Sequence, residues 1–259
     1  YMNQPLAYVH PEAKIHPSVV IDPFVTIHRN VEIGEGTHIC SNVTIMEGAR
    51  IGKNCTIYPG AVISGAPQDL KFKGEDTVAI IGDNTVIREC VTVHRGTASK
   101  GKTIVGSNCL IMAYCHVAHD CVVGNNVIMS NAVQIAGEVV VDDFAVIGGG
   151  ALIHQFCHIG SHVMLQGGAL VNKDIPPYVK AGREPIAYAG VNSIGLRRRG
   201  YSNETIRDIQ EIYRYLYLSG LNNSDAISRI EAELPASKER DEIILFVRNS
   251  NRGIIRGYV

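Results

Sequence analysis

Apolar residues recur along this chain with a period of six. From Val9 the series reads Ile15, Ile21, Ile27, Ile33, Ile39, Ile45, Ile51, Ile57 and Ile63. It resumes at Ile81, Ile87 and Val93, then runs from Val105 through Ile111, Val117, Val123, Met129, Ile135, Val141, Ile147, Ile153, Ile159 and Leu165 to Val171. Only Asp69, Glu75 and Ser99 break the count, which predicts two inserted loops, at about 64–80 and 94–104. Four residues after each aliphatic lies a second stripe of small or β-branched residues, among them Val19, Val31, Thr37, Ala49, Ala61, Val127 and Ala145.

A six-residue period fits neither the 3.6 of a helix nor the alternation of a simple strand. It is the signature of a parallel β-helix, in which three hexapeptides make one triangular coil of about 18 residues. The fold predicted is therefore mainly β. The first stripe points inward from the flat faces and the second packs near the corners. Glycines that follow the aliphatic, such as Gly34, Gly52, Gly82, Gly106, Gly124, Gly148 and Gly160, with asparagines shortly after, are expected to supply positive φ at tight corners.

The repeat stops at Ile175-Pro176-Pro177, where proline removes donors. A small α-helical part is predicted beyond it, dividing the chain into 1–189 and 190–259. Ser202 is the expected cap of a helix carrying Ile206, Ile209, Ile212, Tyr213 and Leu216, with Gly220 as its stop. Ser224 or Asp225 starts a second helix that ends before Pro235, and Ser237 a third.

Composition narrows the function. Lys plus Arg number 24 against 25 Asp plus Glu, so no overall field favours nucleic acid or an anionic membrane. No transmembrane stretch is found, and no basic-then-apolar leader pattern, so a cytoplasmic location is expected. Five of the seven cysteines (55, 109, 115, 121 and 157) fall on the second stripe, which predicts small core fillers rather than disulfides or metal ligands.

The candidate chemistry gathers around the interruptions. Arg95, Lys100 and Lys102 in the second loop suit a phosphate-bearing ligand, or are simply a solvated turn. Histidines concentrate at 94, 116, 119, 154, 158 and 162. His119 stands out because Asp120 adjoins it and His116 is near, and a carboxylate that fixes an imidazole tautomer makes a general base.

Six motifs resemble the UDP-N-acetylglucosamine O-acyltransferase family over nearly the whole chain: Q-D-L-K-F at 68–72, H-R-G-T at 94–97, A-H-D-C at 118–121, H-Q-F-C at 154–157, I-P-P-Y-V at 175–179 and G-L-R-R-R-G-Y at 195–201. The resemblance implies a left-handed winding and a homotrimer. It also implies the first reaction of lipid A biosynthesis, transfer of an (R)-3-hydroxyacyl group from acyl carrier protein to the 3-hydroxyl of UDP-N-acetylglucosamine, with no metal or other cofactor. It makes His119 an exposed general base, Asp120 its orienting partner and the Gly137 amide the oxyanion donor. Asp69, Lys71, His116, His154 and Gln155 match substrate contacts, and Asn192 and Arg198 match nucleotide contacts. Gly167, with Met164 nearby, matches the limit on acyl length, and a glycine there implies a chain of about fourteen carbons or more. Two positions depart from the family: Glu138 stands where histidine is frequent, and Ile194 where a carboxylate is common.

Three alternatives share parts of this pattern. The related UDP-3-O-acylglucosamine N-acyltransferase carries an extra N-terminal domain, for which a repeat starting at Val9 leaves no room. A trimeric zinc enzyme of the carbonic anhydrase type uses an H-x4-H pair, whereas His116 and His119 are spaced H-x2-H and His154 and His158 H-x3-H. A non-enzymatic scaffold would not need the clustered His, Lys and Arg.

Overall fold

The computed structural model describes residues 5–257. Most strands are two residues long, with the first side chain directed outward and the second inward, as in Thr26–Ile27 and His38–Ile39. They stack into three parallel sheets of nine, eight and ten strands among the described residues, the tenth strand of the last being antiparallel. The first face runs from Tyr8–Val9 to Leu170–Val171, the second from Lys14–Ile15 to His158–Ile159, and the third begins at Val20–Ile21. The protein is a mainly β, left-handed parallel β-helix with appended helices.

Both predicted stripes fill the prism. From Ile21 to Val171 every aliphatic of the first series is buried; Val9 and Ile15, in the terminal coil, are only partly covered. The corner stripe is buried too, and its polar members bond from coil to coil. Thr37 Oγ1 donates to the Gly52 carbonyl at 2.9 Å, and the Cys55, Cys109, Cys115 and Cys121 thiols reach carbonyls of the next coil at 3.0–3.1 Å. These cysteines are therefore donors as well as fillers. All seven are free, and burial pushes the four thiols above their ordinary range.

The glycine expectation is half wrong. Gly34, Gly52, Gly82, Gly106 and Gly124 do not have positive φ; the residue two places later does, as at Asn54, Asn84, Asn108 and Asn126. What those glycines permit is close approach between coils. A Cβ on Gly106 would lie 2.5 Å from the Gly124 carbonyl oxygen, and one on Gly82 2.6 Å from the Gly106 carbonyl carbon. Asparagine tolerates the left-handed turn, while only glycine fits the contact.

The insertions are shorter than predicted, 66–77 and 95–101, and both leave the first face and rejoin the second. They therefore emerge at one corner, the corner that later carries His119–Asp120, Gly137–Glu138 and Gln155–Phe156.

After Val171 the chain forms a hairpin, Val179–Gly182 with Ala187–Val191, and then four helices: α1 (Ser193–Arg198), α2 (Asn203–Leu218), α3 (Asn223–Glu233) and α4 (Lys238–Asn249). Ser202 and Ser237 cap α2 and α4 as expected. The start of α3 moves to Asn222, whose side chain accepts from the Asp225 amide; α1, capped by Asn192, is too short for a periodic signal. Side chains of Ser161 and Tyr178 both donate to Glu242, and Tyr213 Oη donates to the Pro177 carbonyl at 2.5 Å, which ties the helices to the last coils.

Gly106→Ala is expected to destabilise the protein by about 2–3 kcal/mol, because the added methyl meets backbone and not a movable side chain. Asn108→Gly, at a position already left-handed, is expected to stay within about 1 kcal/mol; urea unfolding of both variants checks the contrast.

Candidate active site

The corner following His116–Val117 places Asp120 in the left-handed region (φ 59°) and buries it completely. Insertion 95–101 folds over it. Thr97 donates to the carboxylate through its amide (3.0 Å) and its hydroxyl (2.6 Å), and the Lys100 amide donates at 3.2 Å. Burial works to raise the Asp120 carboxyl, but these bonds and the one from His119 outweigh it and hold it below its ordinary value.

His119 Nδ1 lies 2.8 Å from Asp120 Oδ2. An ionised carboxylate can only accept, so Nδ1 carries the proton and Nε2 presents a lone pair. The ring is not the exposed surface group expected from the sequence: only 7% of His119 is accessible. It lies outside the prism core, bonded to Asp120 and packed on Gly137, at the wall of a cavity of about 670 Å³.

A Cβ on Gly137 would stand 2.6 Å from His119 Nε2, so glycine is what allows this packing. Gly137 is buried and lines the cavity. Among the described residues its amide has no hydrogen-bond partner. A buried unpaired N–H is uncommon, and at a reaction centre it is available to a developing negative charge.

Two further imidazoles complete this wall. His116 Nδ1 is 2.7 Å from Thr92 Oγ1, and His94 meets His116 edge-on with ring centres 4.6 Å apart. Burial, then the neighbouring His116 and His119, lowers His94 to about 4, and its Nδ1 has no partner among the described residues. Burial, then His119, lowers His116 as well. Leu152 and Leu170 line the cavity from the first face, and Glu184 to Ile186 of the hairpin turn close one end. Leu152 and Leu170 are still about half exposed.

The model for "Udp N-acetylglucosamine O-acyltransferase; Domain 2" matches residues 174–255, and that for the bacterial transferase hexapeptide matches 102–137. The acyl-(acyl-carrier-protein)–UDP-N-acetylglucosamine O-acyltransferase of Myxococcus xanthus (strain DK1622) is 44% identical over 97% of this chain and 98% of its own. The chain belongs to the UDP-N-acetylglucosamine O-acyltransferase family. Among solved members, the UDP-N-acetylglucosamine acyltransferase from Bacteroides fragilis 9343 superposes with a TM-score of 0.97 at 59% identity, covering 98% of this chain and all of that one. That from Acinetobacter baumannii gives 0.95 at 41%, covering 98% and 99%.

Of the residues that resemblance to this family singled out, His116, His119, Gly137, His154 and Gln155 line the one cavity, with Asp120 directly behind it. Asp69 and Lys71 do not line it; they lie in the 66–77 insertion beside Gln68, which does, and Asp69 Oδ1 accepts from the Lys71 amide at 2.8 Å. Asn192 is buried under α1, donating to the His162 carbonyl at 2.9 Å and accepting from the Gly195 amide. Arg198 is exposed in the last turn of α1. Met164 and Gly167 belong to the third face and its corner, away from this cavity. Gly167 is not simply open space, since a Cβ there would meet the Gly149 carbonyl oxygen at 3.1 Å.

The basic residues of the second insertion serve the protein itself. Arg95 stacks over Phe72 and donates to the Glu47 carbonyl at 3.2 Å, and Lys100 donates to the Asp120 carbonyl at 3.2 Å and pairs with Glu138 at 3.9 Å. His154 faces the cavity whereas His158 pairs with Asp142 on the second face, so the H-x3-H spacing brings no joint ligand set together within the chain. Sequence reading did not assign His94, Thr97 or Gln134 to the site. The first two belong to the H-R-G-T motif; Gln134 is marked only by occupying, one coil on, the outward position of His116.

Another buried imidazole lies at the base of the helices: His162 stacks on Phe144 and Tyr178, and burial, then Arg199 and Lys238, lowers it to about 4. The unfolded chain takes up imidazole protons below about pH 6.5, whereas His94 and His162 stay neutral in the fold until about 4. Their contribution to stability is therefore complete above pH 6.5 and lost as pH falls toward 4, on the order of 3 kcal/mol per ring. Urea midpoints are expected to fall across that window, and His162→Phe, which keeps the stacking, to flatten part of the decline.

Proposed function

We propose that this protein transfers an (R)-3-hydroxyacyl group from acyl carrier protein to the 3-hydroxyl of UDP-N-acetylglucosamine, the first reaction of lipid A biosynthesis, in the cytoplasm. The observation that carries the reading is one imidazole nitrogen, left with its lone pair free by a hydrogen bond from the other ring nitrogen to a buried ionised carboxylate, beside an unpaired amide on the wall of a largely apolar cavity.

His119 Nε2 takes the proton as the sugar oxygen attacks the thioester carbonyl. The tetrahedral oxyanion accepts from the Gly137 amide, a type of interaction that contributes a few kcal/mol to such a transition state. The intermediate then collapses, breaking the C–S bond, and the proton on His119 passes to the departing thiolate. Asp120 holds the tautomer and stabilises the imidazolium without itself taking the proton.

His116, His154 and Gln155 hold the sugar, and Asp69 and Lys71 reach it from the 66–77 insertion. The acyl chain follows Leu152 and Leu170. Half of each leucine is uncovered in a single chain, which supports a homotrimer in which a neighbouring protomer closes the groove. In that assembly the neighbour's third face, with its Met164 and Gly167, limits acyl length, and its Arg198 faces the diphosphate. Asn192 acts indirectly, by capping the helix that carries Arg198. A donor of about fourteen carbons or more follows from glycine at 167.

Purified protein, UDP-N-acetylglucosamine and a ladder of 3-hydroxyacyl carrier proteins test the reading. His119→Ala is expected to lower kcat by about 10²–10⁴; undiminished turnover, or acylation of an amine, overturns it. Gly137→Ala is expected to lower kcat comparably with the fold retained, since the methyl displaces the ring.

A further inference from the structure

Far from the cavity, on the third face of the N-terminal coils, lies a side-chain cluster that the acyltransferase reading does not use. Val20–Ile21 and His38–Ile39 pair in parallel, Ile21 opposite Ile39. Ile39 points into the prism, so His38 and Cys40 on either side of it both project outward. Asp22 follows Ile21 just as Cys40 follows Ile39, and its amide donates to the Ile39 carbonyl at 2.9 Å, so Asp22 stacks one rung below Cys40. His38 Nε2 is 3.0 Å from Asp22 Oδ2. A carboxylate oxygen, an imidazole nitrogen and a sulfur all lie within 4.8 Å of one another, a triple that occurs once among the described residues.

We propose that Asp22, His38 and Cys40 bind one Zn²⁺ ion per chain, with water in the fourth position. The donor set selects this chemistry. Thiolate and imidazole disfavour Mg²⁺ and Ca²⁺, and an O, N, S triple from three side chains suits a tetrahedral borderline-soft ion. Tetrahedral donors around zinc stand about 3.3–3.7 Å apart, which side-chain rotation from the present spacing supplies. Binding releases the Cys40 thiol proton to solvent and moves the His38 ring proton to Nδ1, freeing Nε2 for the metal.

The site would clip the first coil to the second. That is the end of the solenoid where Val9 and Ile15 are only partly covered, so a cross-rung bond there opposes fraying.

The full-length protein, stripped with a chelator, is titrated with Co²⁺. The expected result is a thiolate-to-cobalt charge-transfer band in the near ultraviolet that saturates at one equivalent and is displaced by Zn²⁺. Cys40→Ser is expected to abolish the band, and Asp22→Asn and His38→Gln to weaken binding at least about tenfold. Cys90→Ser, at an exposed cysteine outside the cluster, is expected to leave the band intact. Zn²⁺ is expected to raise the Tm of wild type and not of Cys40→Ser, with acyltransfer unaltered in either. Absence of the band, its persistence in Cys40→Ser, or its loss in Cys90→Ser overturns the proposal.

Discussion

The structure depends on one constraint, that each coil must lie flat on the next while its corners turn within a few residues. Backbone bonds between coils, such as Gly106 amide to Val123 carbonyl at 2.8 Å, hold the rungs at strand spacing. That spacing leaves no room for a Cβ at Gly82 or Gly106 and requires left-handed backbone at Asn84 and Asn108. Every other feature is placed by this stacking. The core is two stripes because each coil offers the same two inward positions, and polar side chains line up in columns because each coil offers the same outward ones.

The site is a by-product of such columns. Thr92, His116 and Gln134 occupy one outward column of the first face, with Leu152 and Leu170 above them. At the adjoining corner His119, Gly137 and Gln155 succeed one another at intervals of one coil. The 95–101 insertion then supplies what the repeat cannot, a set of donors for a buried carboxylate. Charge is kept on Asp120 by Thr97 and Lys100, and the tautomer of His119 follows from that charge. The Lys100–Glu138 pair ties the same insertion to the next coil, so the residue at 138 that departs from the family pattern has a partner here.

Much of this was legible in the sequence, because a period of six leaves little choice of fold and because His119 sits beside an acid. The errors are of one physical kind: a one-dimensional pattern does not show what lies a coil away. Gly106 looks like a turn residue along the chain because its neighbour in the next rung, Gly124, lies 18 residues away. The chain suggests an exposed His119 because Gly137, which packs on its ring, stands a whole coil away in sequence. Helix α1, six residues long, has too few turns for a stripe, and its cap, Asn192, stands out only through family resemblance. Asp22 and Cys40 become neighbours only once the coil length is known.

Both insertions leaving by the same corner has an evolutionary consequence. Whole coils ahead of the one that carries Glu47, whose carbonyl accepts from Arg95, can be gained or lost in units of one turn without disturbing the cavity. Between His94 and Gln155 no such freedom exists. Removing a single turn would slide Gly137 or Gln155 out of step with His119, so repeat number is free to drift at one end of the prism and frozen in its middle.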